Sequence, residues 1–364
     1  MHRCMLPPEP STDNQAGPRD GAAPPGPSRW WRQPTVWLGF IFSGAALITF
    51  VVLFDAGQIL TALGRVEPWS FPLAGVVFLA SHLVVRALRW RLLLRPLGRF
   101  PYGQVRDVML TGFMINNILP ARAGELARAL VLWRVAGASR RGALASIGIE
   151  RLFDGVVLIG LLSLLGLLFE VPPWTRRLGH ITSIVLAGLV VTACWLAFHQ
   201  RSLFWLMERA LFFLPRRLRG RVVAFFERFA AGTRSLRSIS IVAPVAGLTL
   251  LIWSMELVVY YTMMRGFGIE LPAWAAALAL VVTNFGIAVP SAPGHVGVYE
   301  AACSGALIGL GLNKELALSY ALGVHLLLFV CITTTGMILM WRLGLKLRDV
   351  TGRAPPNGGG PVQG

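Results

Sequence analysis

Two stretches of this chain run for nineteen residues without a Lys, Arg, Asp or Glu: VWLGFIFSGAALITFVVLF at Val36–Phe54 and ITSIVLAGLVVTACWLAFH at Ile181–His199. A third, Ile241–Met263, holds a single acid. About 20 apolar residues, at 1.5 Å each, make a helix that crosses the roughly 30 Å hydrocarbon layer. In that layer a chain satisfies its own backbone hydrogen bonds only as a helix or a closed barrel. The sequence therefore predicts an all-α polytopic membrane protein. Composition agrees: 14% of residues are charged, against about 25% in soluble domains.

The cations fall between the apolar spans. There are 34 basic and 17 acidic residues, a net charge of +17. In that position they set orientation and meet anionic lipid. Nucleic acid is not an expected partner. Lys314 and Lys346 are the only lysines. This arginine bias, with abundant Ala and Gly, points to a GC-rich bacterial genome and a bacterial inner membrane. The four cysteines, Cys4, Cys194, Cys303 and Cys331, show no metal-ligand spacing, so neither a metal nor a disulfide framework is expected. No nucleotide or other cofactor motif is present, and nothing sets an oligomeric state.

Residues 1–34, rich in Pro, Gly and Ser, read as a disordered cytoplasmic tail. A transmembrane domain follows over 35–345, then a flexible cytoplasmic tail over 346–364. Walking the charges inward and outward gives about 6–8 transmembrane helices, with both termini cytoplasmic. Span two, from Leu73, ends in RALRWRLLLRPLGR, whose arginines mark the inner face. Residues 200–240, with nine arginines and two glutamates, read as a basic amphipathic loop on the inner leaflet or packed on the protein.

Two polar strings interrupt this pattern: NNILPARAGELARA at Asn116–Ala129 and NFGIAVPSAPGHVGVYEAA at Asn284–Ala302. Pro120, Gly124 and Glu125 in the first resemble Pro290, Gly294, Gly297 and Glu300 in the second. Pro and Gly stop helices and free backbone groups, which a membrane tolerates only in buried or wet places. The first string is approached from the cytoplasm and the second from outside. That arrangement is an inverted repeat of two broken, re-entrant hairpins. Each arm, near 18 residues, is at the limit between crossing and dipping. The new helix N-terminus after each break favours an anion. Asn117, Arg122, Arg128 and His295 add donors. Ordinary capping, with Glu125 paired to Arg128, is the simpler alternative.

A third cluster lies inside the span Ala143–Phe169. Glu150 and Asp154 share a helix face, with Arg151 between them. Each charge costs about 2.5–3.5 kcal/mol at mid-bilayer, so partners are needed; Arg86, Arg89, Arg122 and Arg128 are the candidates. The cluster is either functional or a structural ion-pair network. Glu256 is a lone deep acid, suited to a polar pathway or to a contact with a neighbouring helix.

RALRW, NNILPARAGELARA, ERLFDG and PSAPGHVGVYEAA, in this order, resemble the lysylphosphatidylglycerol synthase transmembrane region, the flippase-like domain family. The resemblance covers about Val36 to Leu345. It implies a lipid flippase that moves a phospholipid or lipid-linked headgroup between leaflets. The aminoacyl transferase domain of the best understood members is not expected here, so synthase activity is not either. The positions that match are Arg86, Arg89, Asn117, Pro120, Gly124, Glu125, Glu150, Arg151, Asp154, Pro290, Gly294, Gly297 and Glu300. The expected partner is an anionic or lipid-linked substrate in the bilayer, with a separate lipid-modifying enzyme as a further candidate. The rival functions are a membrane-embedded transferase, or an accessory subunit, in glycolipid, lipid-linked sugar or aminoacyl-phospholipid synthesis.

Overall fold

The structure, a computed structural model, describes residues 55–119, 123–170, 239–288 and 291–346, with isolated positions in 41–52 and 172–188. The spans expected at Val36–Phe54 and Ile181–His199, nearly all of the 200–240 loop and nearly all of both tails lie outside the described residues. Nine helices and no strands are found among the described residues. They are α1 (Ala56–Gly64), α2 (Ser70–Leu93), α3 (Tyr102–Ile118), α4 (Ala123–Ala136), α5 (Arg140–Leu168), α6 (Ile239–Gly266), α7 (Ala273–Gly286), α8 (Val298–Ile308) and α9 (Lys314–Arg342). Four of them, α2, α5, α6 and α9, are long and apolar enough to cross a membrane. This is a polytopic helical membrane protein.

Caps place several helix starts. The Asp55 carboxylate accepts from Gly57 N (2.7 Å) and Gln58 N (3.3 Å) and starts α1, a helix the sequence reading did not anticipate. Ser139 accepts from Gly142 N and starts α5; Asn313 does the same for α9 through Leu316 N. Such caps satisfy backbone donors that a helix leaves open. Within α2, Ser81–Arg86 widens into a π-helical turn. It carries His82 and Arg86 inward, and both are buried.

Contacts between named residues fix the direction of each long helix. Glu67 N donates to Gly266 O, Arg86 meets Glu256 and Arg89 meets Thr249. Numbers rise along α2 as they fall along α6, so the two are antiparallel. Trp90 donates to Ser146 and Arg89 to Asp154, so α5 is antiparallel to α2 as well. Helices α5 and α6 therefore run the same way. Phe169 and Ile239 thus lie on opposite faces of the helix layer.

The consequence is an inverted repeat. Hairpin α3–α4 enters from the face where α2 ends and α5 begins. Hairpin α7–α8 enters from the opposite face, where α6 ends and α9 begins. The order long helix, hairpin, long helix occurs twice: α2, α3–α4, α5 and then α6, α7–α8, α9. Packing follows the exchange: α3 lies on α9 and α7 lies on α5. The hairpin helices have 17, 14, 14 and 11 residues. At 1.5 Å per residue each reaches only about 17–26 Å, short of the roughly 30 Å hydrocarbon layer.

Small residues let the hairpins close. A Cβ added at Gly124 would lie 1.9 Å from Gly112 O, and one at Gly112 would lie 2.1 Å from Arg128 Cγ. A Cβ at Gly286 would meet Ala302 Cβ at 2.6 Å. Gly124→Ala is expected to lower stability by about 1–3 kcal/mol, because overpacking forces backbone shifts. Gly160→Ala, at a position open for 4 Å, serves as the control. Thermal unfolding of the detergent-solubilised variants measures the difference; equal melting would refute the close approach.

Candidate functional site

The two broken strings meet at their tips. At the end of α3, Asn116 Oδ1 accepts from Gly124 N at 2.7 Å, capping α4 across the break. Asn117 Nδ2 donates to Thr333 Oγ1 of α9 at 3.0 Å. In the second string the turn Pro293–His295 precedes α8. Gly294 has φ +67°, and a Cβ there would lie 2.9 Å from the Phe329 ring and 3.4 Å from Asn117 O. Left-handed backbone and close packing together require glycine at this point. His295 is also left-handed, at φ +59°, held where its Nδ1 meets Ser291 Oγ at 2.8 Å. Gly297 (φ +86°) then starts α8, and Glu300 Oε2 reaches back to its N–H at 2.7 Å.

A cavity of about 440 Å³ opens where the tips meet. Asn116, Asn117 and Glu125 line it from the first hairpin, and Asn284, Gly294, His295 and Tyr299 from the second string. Arg151 and Asp154 of α5, His82 of α2 and His325 of α9 complete its polar wall. Phe78, Phe113, Trp253, Phe285 and Phe329 supply an apolar one. Ligand sites of membrane carriers take this form: irregular backbone lining a polar space between repeats.

Behind the cavity the charges form a chain across α2, α4 and α5. Arg89 grips Asp154 with both terminal nitrogens (2.6 and 3.2 Å), reaches Glu150 at 3.4 Å and donates to Thr249. Arg128 binds Glu150 with both nitrogens (3.4 and 3.0 Å) and lies 4.1 Å above the Trp90 ring. Arg151 bridges Glu125 (3.0 Å) and Asp154 (3.5 Å). Trp253 Nε1 also donates to Asp154. Forked guanidinium–carboxylate pairs of this kind are the stronger class of hydrogen bond. Arg89 and Arg128 are fully buried. Arg151 is not: its side chain is 38% open and that of Glu125 is 25% open.

Of the residues expected at a site, Asn117, Glu125, Arg151, Asp154, Gly294 and His295 line the cavity. Arg86, Arg89, Arg128 and Glu150 stand behind it as ion-pair partners. The Glu125–Arg128 pair of the simpler alternative is not formed: Glu125 takes Arg151 and Arg128 takes Glu150. The reason is depth, since Arg128 points into the helix packing and Glu125 towards the open space. Glu256 is not a lone acid. Arg86 Nη2 binds it at 3.0 Å, with His82 Nδ1 at 3.7 Å. Glu300 is buried, held by Gly297 N and by His325 Nδ1 at 2.6 Å. Pro120, Arg122 and Pro290 lie outside the described residues.

His82, His325 and Trp253 join the cavity wall without being among the site residues expected from the sequence. His325 stacks on Tyr299 at 4.2 Å while it holds Glu300. Trp253 stands three residues before Glu256, on the same helical face, and that spacing was the available signal.

Two short hairpins from opposite faces, a polar cavity at their tips and a charged network behind it define a polytopic helical membrane protein built as an inverted repeat. The chain belongs to the family of the lysylphosphatidylglycerol synthase TM region, whose model matches residues 36–336. It is similar to a protein of Haloferax volcanii named glycosyltransferase AglD, at 26% identity over 75% of this chain and 50% of that protein. The chain thus spans about half the length of that relative. Two proteins of Methanothermobacter thermautotrophicus, both named UPF0104 membrane protein, are 25% and 24% identical. These matches cover 82% and 70% of this chain and 91% and 80% of theirs. No solved structure matches the chain.

Proposed function

We propose that this protein moves a phospholipid or a lipid-linked polar headgroup between the leaflets of a bacterial inner membrane. The carrying observation is the cavity shared by both hairpin tips, open enough at Glu125 and Arg151 to exchange their ion pair for a ligand. Arg151 offers a guanidinium to a lipid phosphate. Glu125, Asp154 and the amides of Asn116, Asn117 and Asn284 offer partners to a cationic or hydroxylated headgroup. The aromatic wall accepts the apolar part. Motion of one repeat against the other would open the cavity to alternate faces.

Orientation follows from charge. The face where α2 ends carries Arg91, Arg95, Arg99, Arg134, Arg140, Arg141 and Lys346, and by the positive-inside rule it is cytoplasmic. Both termini are then cytoplasmic.

The test is leaflet exchange. Purified protein is reconstituted in liposomes with a fluorescent phosphatidylglycerol, an aminoacylated analogue or a polyprenyl-phosphate sugar. Bleaching of outer-leaflet dye, with and without a pH gradient, reads the rate. Exchange of one of these lipids well above protein-free vesicles supports the proposal. Protein that remains folded and exchanges none of them refutes it.

A second function is favoured by one observation: Ser291 and His295 form a hydroxyl–imidazole pair at the cavity. That pair could serve a membrane-embedded transferase, in keeping with the name of the Haloferax relative. It predicts a covalently modified lipid when protein, lipid-linked acceptor and sugar donor are combined. The carrier predicts unmodified lipid.

A further inference from the structure

A second opening lies apart from the central cavity, at the end of α2. It is a cleft of about 680 Å³ lined by Leu88, Arg91, Leu92, Arg95, Arg99 and Phe100, with Leu248 of α6 closing one side. None of these residues belongs to the central cavity or to the ion-pair chain behind it. Among the described residues the lining holds three guanidiniums and no acid. Arg91 is partly committed, because its Nε donates to Phe100 O at 3.0 Å and fixes that wall. The side chains of Arg95 and Arg99 have no ion-pair or hydrogen-bond partner among the described residues, and both are exposed. By contrast, four arginines of the helix packing are matched: Arg86, Arg89, Arg128 and Arg151 each hold a carboxylate.

The two halves of the cleft ask for different chemistry. Leu88, Leu92 and Leu248 make an apolar trough between two membrane helices, and Leu88 is exposed. The arginines stand at the end of that trough, on the face where basic residues gather. An acyl chain fits the first and a phosphate the second. Guanidinium is the side chain best suited to phosphate, since its fork of donors matches two oxygens. We propose that this cleft is a binding site for an acidic phospholipid of the surrounding bilayer. The phosphate lies between Arg95 and Arg99, and an acyl chain lies along Leu88, Leu92 and Leu248. The site does not depend on the transport proposal. It holds a lipid whether or not the central cavity moves one.

Native mass spectrometry tests this directly. The protein is reconstituted in nanodiscs of equal phosphatidylglycerol and phosphatidylcholine, released, and its retained lipids are counted. Phosphatidylglycerol is expected to be enriched roughly tenfold or more, because each arginine near the bilayer surface favours anionic lipid. Two variants separate a site from general surface charge. Arg95→Gln with Arg99→Gln removes the phosphate contacts. Leu248→Trp fills the trough and leaves every charge in place. Loss of enrichment in both supports the site; should the arginine variant not fold, loss in Leu248→Trp alone still supports it. Enrichment that survives Leu248→Trp shows diffuse attraction and overturns the proposal. Equal retention of both lipids by the unaltered protein overturns it too. Displacement by glycerol 3-phosphate alone would assign the arginines to a soluble phosphate and also overturn it.

Discussion

Arg89→Leu is expected to destabilise the transmembrane domain by about 3–5 kcal/mol, the cost of leaving buried charge without its partner. Arg89 is wholly buried and joins three helices: Asp154 and Glu150 on α5, Thr249 on α6 and its own α2. Leucine would leave Asp154 with Arg151, at 3.5 Å, and the Trp253 N–H, and Glu150 with Arg128. Water is scarce at this depth, so neither acid has an easy substitute for the lost fork. Arg89→Lys is expected to recover only part of the loss, since one ammonium cannot hold both oxygens of Asp154 and still reach Glu150. Thermal unfolding and yield after detergent extraction provide the measurement. Combining Arg89→Leu with Asp154→Leu removes both sides of the main pair. Recovery of stability in the double variant would identify unpaired charge as the cause, because a buried ion pair is often replaced by apolar residues at little cost. Melting of Arg89→Leu within about 1 kcal/mol of the unaltered protein, the range of an exposed pair, would refute the structural role given to the network.

Much of this architecture is written in one-dimensional signals. Apolar runs gave the long helices within a few residues: Ala143–Phe169 is observed as Arg140–Leu168, and Ile241–Met263 as Ile239–Gly266. Proline and glycine marked both breaks because their effect on the backbone is local. Loop arginines, followed by counting crossings, placed the hairpins on opposite faces, and residue contacts bear this out. The pairing of charges was not legible in the same way. Arg128 is three residues from Glu125 and twenty-two from Glu150, and helical spacing favours the nearer acid. Tertiary packing decides otherwise, because the Trp90 and Phe113 rings hold the Arg128 guanidinium away from the cavity. Glu256 looked solitary for a similar reason. Its partner is 170 positions away on an antiparallel helix, a distance no local pattern reports. The cavity itself combines residues from α2 to α9; the two strings at its tips and the pair Arg151 and Asp154 were marked in the sequence, whereas Phe78, Phe113, Trp253 and Phe329 of the aromatic wall were not.

Exposure divides the same chain of ion pairs into a part that holds the fold and a part free to act. Glu125→Gln and Arg151→Gln are expected to melt within about 1 kcal/mol of the unaltered protein, the usual range for a solvent-accessible pair. Their effect on leaflet exchange is expected to be far larger. A hydrogen bond to a charged group contributes about 1.5–3 kcal/mol, so either substitution should slow exchange by roughly ten- to a hundredfold if its charge meets the headgroup at the rate-limiting step. Arg151→Gln should weaken lipids through their phosphate, whatever the headgroup carries beyond it. Glu125→Gln should discriminate among headgroups, slowing a cationic aminoacyl lipid more than a neutral sugar lipid. The contrast with Arg89 is the informative one. Arg89→Leu should lose fold and exchange together, whereas Arg151→Gln should lose exchange alone. If both cavity variants exchange lipid at the unaltered rate while folded, the open pair has no part in transport. The polar cavity would then be a structural seam, and the protein would fit better as an accessory subunit that holds a partner enzyme at the membrane.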